Sequence, residues 1–456
     1  MYDLLIKNGK LVFSDGIQNG SIAVKDGKIA AILCGCVDAE AKEVIDAGGK
    51  YVMPGAIDTH AHLNDPGYEW REDYEHGTAG AIAGGYTTII DMPLQNEPAL
   101  TNAELFDIKE EKVTKEAFCD YAFWGGLIPT NFADLKGLDD RGVVAFKSFL
   151  GPVSPDYSPL NYGEAYEAME MLKECGARAG FHAEDFNMIK AREKHMKDAG
   201  RLTWRDFLDS RTLAAETVAT VAILEIAREL DCKAHICHVS DPYVAQKIVD
   251  MQDAGVDVTF ETCSHYLCFN DEDTATKGEL FKCAPPLRPE DHRVAYWDFV
   301  RDGKIAGLAS DHSPCSYDEK FKEILGQPIT NVFEVWGGIS GIQNSVQAII
   351  SEALKQNVSM TSLVQCMSVN PAKAFGIYGK KGDLKVGFDA DINIVDPDYE
   401  WEVTEDSLYY VNKVTAFMGL KGKGMPVCTI LRGKVMAKEG KLCGDMGYGE
   451  LVKRIK

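Results

Sequence analysis

Asp58-Thr59-His60-Ala61-His62 follows a short apolar run, Tyr51-Val52-Met53-Pro54-Gly55-Ala56-Ile57, that reads as a strand. Side chains at i and i+2 of a strand project to the same side. His60 and His62 therefore aim two imidazoles at one point. Imidazole suits zinc and other borderline divalent metals. A lone H-x-H pair is weak evidence and takes its weight from its company. Four further apolar runs carry polar residues near their C-terminal ends: Lys147 in Val143–Leu150, His182 in Gly180–Glu184, His238 in His235–Ser240, and Asp311 in Ala309–Ser313. Each has an ordinary reading. A strand-end histidine is usually just a satisfied polar group, Lys147 could snorkel to solvent, and Asp311 could cap a helix. Five such accidents at the same end of five strands are far less expected than one. His60, His62, Lys147, His182, His238 and Asp311 are therefore read as one metal-binding set. His235 lies three residues before His238, points the other way and is read as structural. His76, His195, His265, His292 and His312 are set aside on parity or loop position.

Lys147 needs its own account, because an ammonium cannot bind a cation and its unpaired burial is costly. Burial favours the neutral form of an amine, and a neutral amine can add CO₂. The resulting carbamate is an anion with two oxygens, able to bridge two metal ions.

The elements that must position this set fall into three stretches. Residues 1–52 alternate β-rich runs (Asp3–Ile6, Ser21–Val24, Lys28–Leu33, Glu43–Ile45) with turn signals at Asn8-Gly9 and Asp26-Gly27. From 53 to 375, apolar strand patterns at 52–60, 87–93, 119–127, 143–150, 178–184, 233–240, 257–263 and 304–311 alternate with helical ones. Tyr162–Cys175 puts Ala165, Ala168, Met169 and Leu172 on one helix face, and Glu216–Leu230 is apolar nearly all round. Eight strand–helix units predict an α/β chain with a TIM-like (β/α)₈ barrel, whose active sites sit at the C-terminal rim of the strands. Residues 376–456 turn β-rich again (Asp391–Val395, Thr415–Met418, Val427–Leu431, Lys434–Ala437). A few strands alone are marginally stable, so both ends are predicted to form one small β-sandwich beside the barrel.

Bulk properties narrow the function classes. The 456 residues are 45% hydrophobic and 26% charged, with 48 Lys+Arg against 70 Asp+Glu and a net charge of −22. That balance argues against nucleic acid and anionic membranes, both of which reward basic patches. No signal-peptide pattern or membrane-spanning run is read, which predicts a cytoplasmic protein. The thirteen scattered cysteines then read as reduced thiols, Cys34-Gly35-Cys36 included.

The set Asp58–His62, Lys147, His182, His238 and Ser310-Asp311-His312 resembles the metal pattern of the cyclic-amidohydrolase superfamily, over essentially the whole chain. Within it the chain is most similar to the allantoinases, on Glu261–Leu267, Lys282–Arg288, Ser310–Cys315 and Trp336–Gly341. Hydantoinases and dihydropyrimidinases typically have Gln at the place of His265 and a Tyr at that of Pro152. Gln95-Asn96 stands where allantoinases usually have Asn-Ser, in a loop that faces the substrate in the family. The resemblance implies two divalent ions, usually zinc, with cobalt, manganese or iron compatible. One is held by His60, His62 and Asp311, the other by His182 and His238, with carboxylated Lys147 bridging. It also implies Asp311 as proton carrier, and Ala284, Ser313 and Gly337 as contacts to a small cyclic ureide. A homo-oligomer, often a tetramer, goes with it. The implied reaction opens allantoin to allantoate. A hydantoinase, dihydropyrimidinase or dihydroorotase activity is the alternative, and a non-catalytic scaffold of the dihydropyrimidinase-related kind is a third reading that the intact ligand set disfavours.

Overall fold

A computed structural model describes residues 1–35, 39–153, 157–324 and 326–455. Five strands come first: β1 (Tyr2–Phe13), β2 (Gly16–Lys25), β3 (Lys28–Cys34), β4 (Ala41–Asp46) and β5 (Tyr51–Pro54). Eight strands alternate with helices after them: β6 (Ala56–Ala61), β7 (Tyr86–Asp91), β8 (Asp120–Gly126), β9 (Ala145–Phe149), β10 (Arg178–His182), β11 (Lys233–Ile236), β12 (Val258–Cys263) and β13 (Gly307–Ala309). A short hairpin follows, β14 (Glu323–Ile324) with β15 (Gln327–Pro328), and the chain ends in β16 (Ile392–Glu402), β17 (Lys421–Leu431), β18 (Lys434–Lys438) and β19 (Lys441–Leu442).

Strands β6 to β13 pair in sequence order, each neighbour parallel. All eight coincide with the apolar runs named from the sequence. The ring is nearly closed by a bridge between Ala61 and His312 and by the His62 N–H donating to the His312 carbonyl at 2.8 Å. Strands β6 to β10 are buried along their whole length, as expected where helices cover a parallel sheet.

The two termini share one nine-stranded mixed sheet in the order β19-β18-β17-β16-β5-β1-β2-β3, with β4 against β1. The join is the antiparallel pair β5–β16, with Val52 opposite Ile394 and Pro54 opposite Ile392. Leu4, Ile6, Leu11, Ile22, Val24, Val52, Ile392 and Ile430 form its core. Burial of this shared face, rather than pairing within either end, holds the two terminal stretches together.

Four local expectations are changed. The run Tyr51–Ile57 is two strands, β5 in the terminal sheet and β6 in the barrel. The break is Gly55, where any Cβ would collide with the Thr87 side chain. Asn8-Gly9 is a bulge inside β1, with Asn8 at φ 57 and a register shift between Ile6 and Gly9, whereas Asp26-Gly27 is a true hairpin turn (φ 49 and 73). Thr415–Met418 is a turn: Phe417 leaves any strand path to pack on Phe269 at 5.1 Å, and Thr415 Oγ1 donates to the Ser340 carbonyl at 2.5 Å. The helix Leu213–Leu230 buries one stripe, Ala215, Ala219, Ile223, Leu224 and Ala227 among it, and leaves Val218 exposed. Tyr162–Glu174 buries the four residues named from its periodicity. The twelve described cysteines are free; Cys36 lies outside the described residues.

A buried charge network fastens the terminal sheet to the barrel. Lys381 Nζ lies 2.7 Å from Asp391 Oδ2 and 3.0 Å from Asp389 Oδ2, and also pairs with Asp120 of β8. Arg432 pairs with Asp120 in turn. Removing one partner of such a network leaves buried charge uncompensated, at a cost of about 3–5 kcal/mol. Lys381→Met is therefore expected to lower the urea midpoint of unfolding by an amount equivalent to about 3–5 kcal/mol. A shift corresponding to less than about 1 kcal/mol, the range of surface ion pairs, would show that the network does not hold the two parts together.

Candidate metal centre

Six polar side chains meet inside the C-terminal mouth of the barrel. His60 lies one residue before the end of β6 and His62 follows the strand, Lys147 lies in β9, His182 ends β10, His238 follows β11, and Asp311 follows β13. Asp311 Oδ1 is 3.4 Å from His60 Nε2 and 3.6 Å from His62 Nε2. The His60 ring centroid is 5.2 Å from those of both His62 and His238, and His238 is 4.6 Å from His182. The i, i+2 spacing thus delivers both imidazoles of the H-x-H pair to one carboxylate.

Behind this ring stands a second row of groups. Glu261 of β12 lies with Oε1 2.5 Å from His60 Nδ1, accepts the Thr59 hydroxyl, and has Oε2 3.4 Å from His235 Nε2. Glu184 Oε2 is 2.7 Å from His182 Nε2 and pairs with Arg211. Such carboxylates fix which nitrogen of an imidazole is free to bind. Sequence reading passed over Glu261 and Glu184 as functional groups. The signal for Glu261 was the one that exposed Lys147, a charged residue inside an apolar strand. His235 and His312 are structural: His235 Nδ1 meets Thr259 Oγ1 at 2.8 Å, and His312 Nδ1 accepts the Gly341 N–H at 3.1 Å. His265 is different. The strand-end turn brings its ring, with Cys263, within 4.8 Å of an Asp311 oxygen.

The centre has donors without partners. Lys147 Nζ, His62 Nδ1, His238 Nδ1 and both ring nitrogens of His265 are buried and make no hydrogen bond among the described residues. Leaving a buried polar group unpaired costs about 1–3 kcal/mol. Among the described residues Lys147 Nζ has no carboxylate within ion-pair distance, and it lies 4.9 Å from the Phe149 ring centroid. Burial pushes the His60 imidazolium down to about 4 and lowers His182 and His238 as well. These imidazoles are therefore neutral at pH 7, the form that binds metal. Two of the six groups sit on strained backbone: His238 has φ 38 and Asp311 φ 43, a region that costs a non-glycine residue about 1–3 kcal/mol. Orphaned nitrogens, neutral imidazoles and one carboxylate fit a divalent-metal site.

A cavity of ≈ 960 Å³ opens over the centre and is lined by His60, His62, His182, His238 and Asp311. Ala284, Ser313 and Gly337 all lie on its walls. So does Gln95 (φ 61), whose Nε2 is 3.5 Å from Ser313 Oγ. Asn96 turns inward instead, accepting from Lys109 Nζ at 3.0 Å and donating to the Leu94 carbonyl. Only the first residue of the Gln95-Asn96 pair faces the cavity.

The model of the amidohydrolase family matches residues 51–436. The chain belongs to that family and is an enzyme of it. It is 37% identical to an allantoinase of Rubrobacter xylanophilus over 97% of this chain and 95% of the relative. It is 34% identical to an L-hydantoinase of Paenarthrobacter aurescens over 100% of this chain and 98% of the relative. The solved L-hydantoinase (dihydropyrimidinase) from Arthrobacter aurescens superposes with a TM-score of 0.95 at 34% identity, covering all of both chains. No helix among the described residues is long and apolar enough to cross a membrane.

Loss of a carboxylate behind a metal-binding histidine typically weakens metal binding about 10–100-fold. Glu261→Gln is expected to do so here, read as the chelator concentration that strips half the divalent metal from the purified protein. Unchanged retention would mean that His60 does not depend on Glu261.

Proposed function

We propose that this enzyme opens the ring of a cyclic ureide by hydrolysis, with allantoin to allantoate the best-supported reaction. The observation that carries the reading is the convergence of four imidazoles and Asp311 on the floor of one cavity, close to the buried Lys147 amine, which makes no hydrogen bond among the described residues. The allantoinase relatives at 34–37% identity support the substrate. The L-hydantoinase superposing over the full chain supports a second reading, a hydantoin.

On this proposal His60, His62 and Asp311 would hold one divalent ion and His182 and His238 a second, with carboxylated Lys147 supplying a further oxygen ligand. When bound, such ions polarise a carbonyl and bring the pKa of water from 15.7 to about 7, zinc being the first choice for this donor set. The chain's own residues do the rest. Backbone groups at Ala284 and Gly337, with the Ser313 hydroxyl, orient the ring amides. Asp311 takes a proton from the attacking water as oxygen adds to the ring carbonyl carbon. The C–N bond breaks, and Asp311 returns the proton to the departing nitrogen, leaving an open ureido acid. Neutral His60, His182 and His238 keep their lone pairs for binding. A homo-oligomer, tetrameric by resemblance, belongs to this reading, and sedimentation velocity measures it.

Initial rates on allantoin, hydantoin, dihydrouracil and dihydroorotate test the substrate. A site that hydrogen-bonds a polar group can reject an analogue lacking it by ~10⁴, so kcat/KM for allantoin is expected well above that for dihydrouracil or 5-phenylhydantoin. A reversed order would move the enzyme to the hydantoin reading. Gln95→Asn is expected to shift that order, since Gln95 faces the cavity, whereas Asn96→Ser should cost stability alone. Lys147→Ala is expected to abolish turnover and release at least one metal ion. Asp311→Asn keeps an oxygen ligand without the proton carrier and is expected to lower kcat by ~10²–10⁴ with metal largely retained. Full activity in either variant would contradict the assignment.

A further inference from the structure

One wall of the cavity is held by two buried lysines that have no carboxylate partner among the described residues. Lys282 is 5% exposed and donates to the carbonyls of Val332 (2.9 Å), Phe333 (3.2 Å) and Val335 (2.6 Å). Lys320 is 2% exposed and donates to those of Trp336 (2.8 Å) and Gly338 (2.7 Å). Burial lowers both amines from the ordinary lysine range. An ammonium has three donors and no acceptor, and burying it without an acid is costly. Here five carbonyl dipoles of one irregular segment, 332–338, take the place of an acid.

The consequence falls on Gly337. The carbonyls on either side of it, Trp336 and Gly338, are both engaged by Lys320, and Gly337 itself borders the cavity. Among the described residues no backbone hydrogen bond engages the Gly337 peptide groups. The same wall is pinned elsewhere. Trp336 Nε1 donates to the Ser313 carbonyl at 3.1 Å, its ring lies 4.4 Å beneath the Arg71 guanidinium, and Arg71 pairs with Glu319, the neighbour of Lys320. At Gly338 a Cβ would collide with Ser313, so the wall also admits no side chain there.

We propose that Lys320 and Lys282 are positioning residues that fix the Gly337 backbone at the cavity wall and so set affinity for the ring amides of the substrate. This rests on the ring-opening reading above. A structural role alone would lower stability and leave KM in place. A positioning role moves KM and spares kcat, because the wall touches ring amides outside the bond that breaks.

The test uses the full-length, metal-loaded enzyme and its fastest substrate from the panel. Lys320→Met and Lys282→Met are each expected to raise KM about ten-fold or more, the scale of a lost buried hydrogen bond, with kcat within about three-fold and metal content unchanged. Lys320→Gln keeps two N–H donors and is expected to restore most of the affinity. Amide hydrogen exchange over 332–338 reads the positioning without any substrate, and it is expected to speed up in both Met variants. KM within two-fold of the parent in both Met variants, or unchanged exchange over 332–338, would overturn the proposal. So would failure of Lys320→Met and Lys320→Gln alike to fold, which would make the lysine a folding determinant only. If the parent turns over no member of the panel, the ring-opening reading fails, and the exchange measurement alone decides the role of the lysines.

Discussion

The site depends on the seam where the barrel closes. Asp58 in β6 accepts the Ser310 N–H at 3.0 Å and the Ser310 hydroxyl at 2.5 Å. One residue beyond Ser310 is Asp311. Two residues beyond Asp58 is His60, whose own N–H donates to the same carboxylate at 3.2 Å. The contacts that join the first barrel strand to the last are thus the contacts that set two imidazoles against one carboxylate. His62 completes the seam through its N–H to the His312 carbonyl. Burial raises the Asp58 carboxyl to about 7, and its three donors hold it in place against that cost. The fold cannot close without assembling half of the site.

The other half is assembled by strain and by emptiness. His238 and Asp311 are held in left-handed backbone that surrounding packing must enforce. Lys147 is embedded in a strand with no acid among the described residues to neutralise it, and it faces imidazoles rather than water. A protein optimised only for stability would replace such groups with apolar ones. Their concentration at one rim of the barrel, behind a row of well-paired carboxylates, is what distinguishes a working site from a packed core.

The sequence made the period of the fold visible because apolar runs alternate with amphipathic helices, and because ligands at strand ends obey the two-residue repeat of a strand. It was least informative where tertiary packing overrides local pattern. Gly55 splits a run that looks continuous, since one half pairs with β16, some 340 residues away in the chain. Phe417 gives up a strand to fill a hole beside Phe269. Parity set His265 aside, because the period of a strand does not extend into the helical turn (Ser264–Cys268) that carries it back to Asp311. Glu261 was legible as an odd charge in an apolar strand. Its task, holding His60 and Thr59, became visible only once barrel closure placed β12 and β6 on either side of β13.

The most direct test of this account is anomalous X-ray scattering at the zinc edge from crystals of the protein loaded with zinc in the presence of bicarbonate. The account predicts two peaks per chain, one enclosed by His60, His62 and Asp311 and the other by His182 and His238, with electron density extending past Lys147 Nζ between them. A single peak, peaks elsewhere in the molecule, or a bare Lys147 amine between two occupied sites would contradict it.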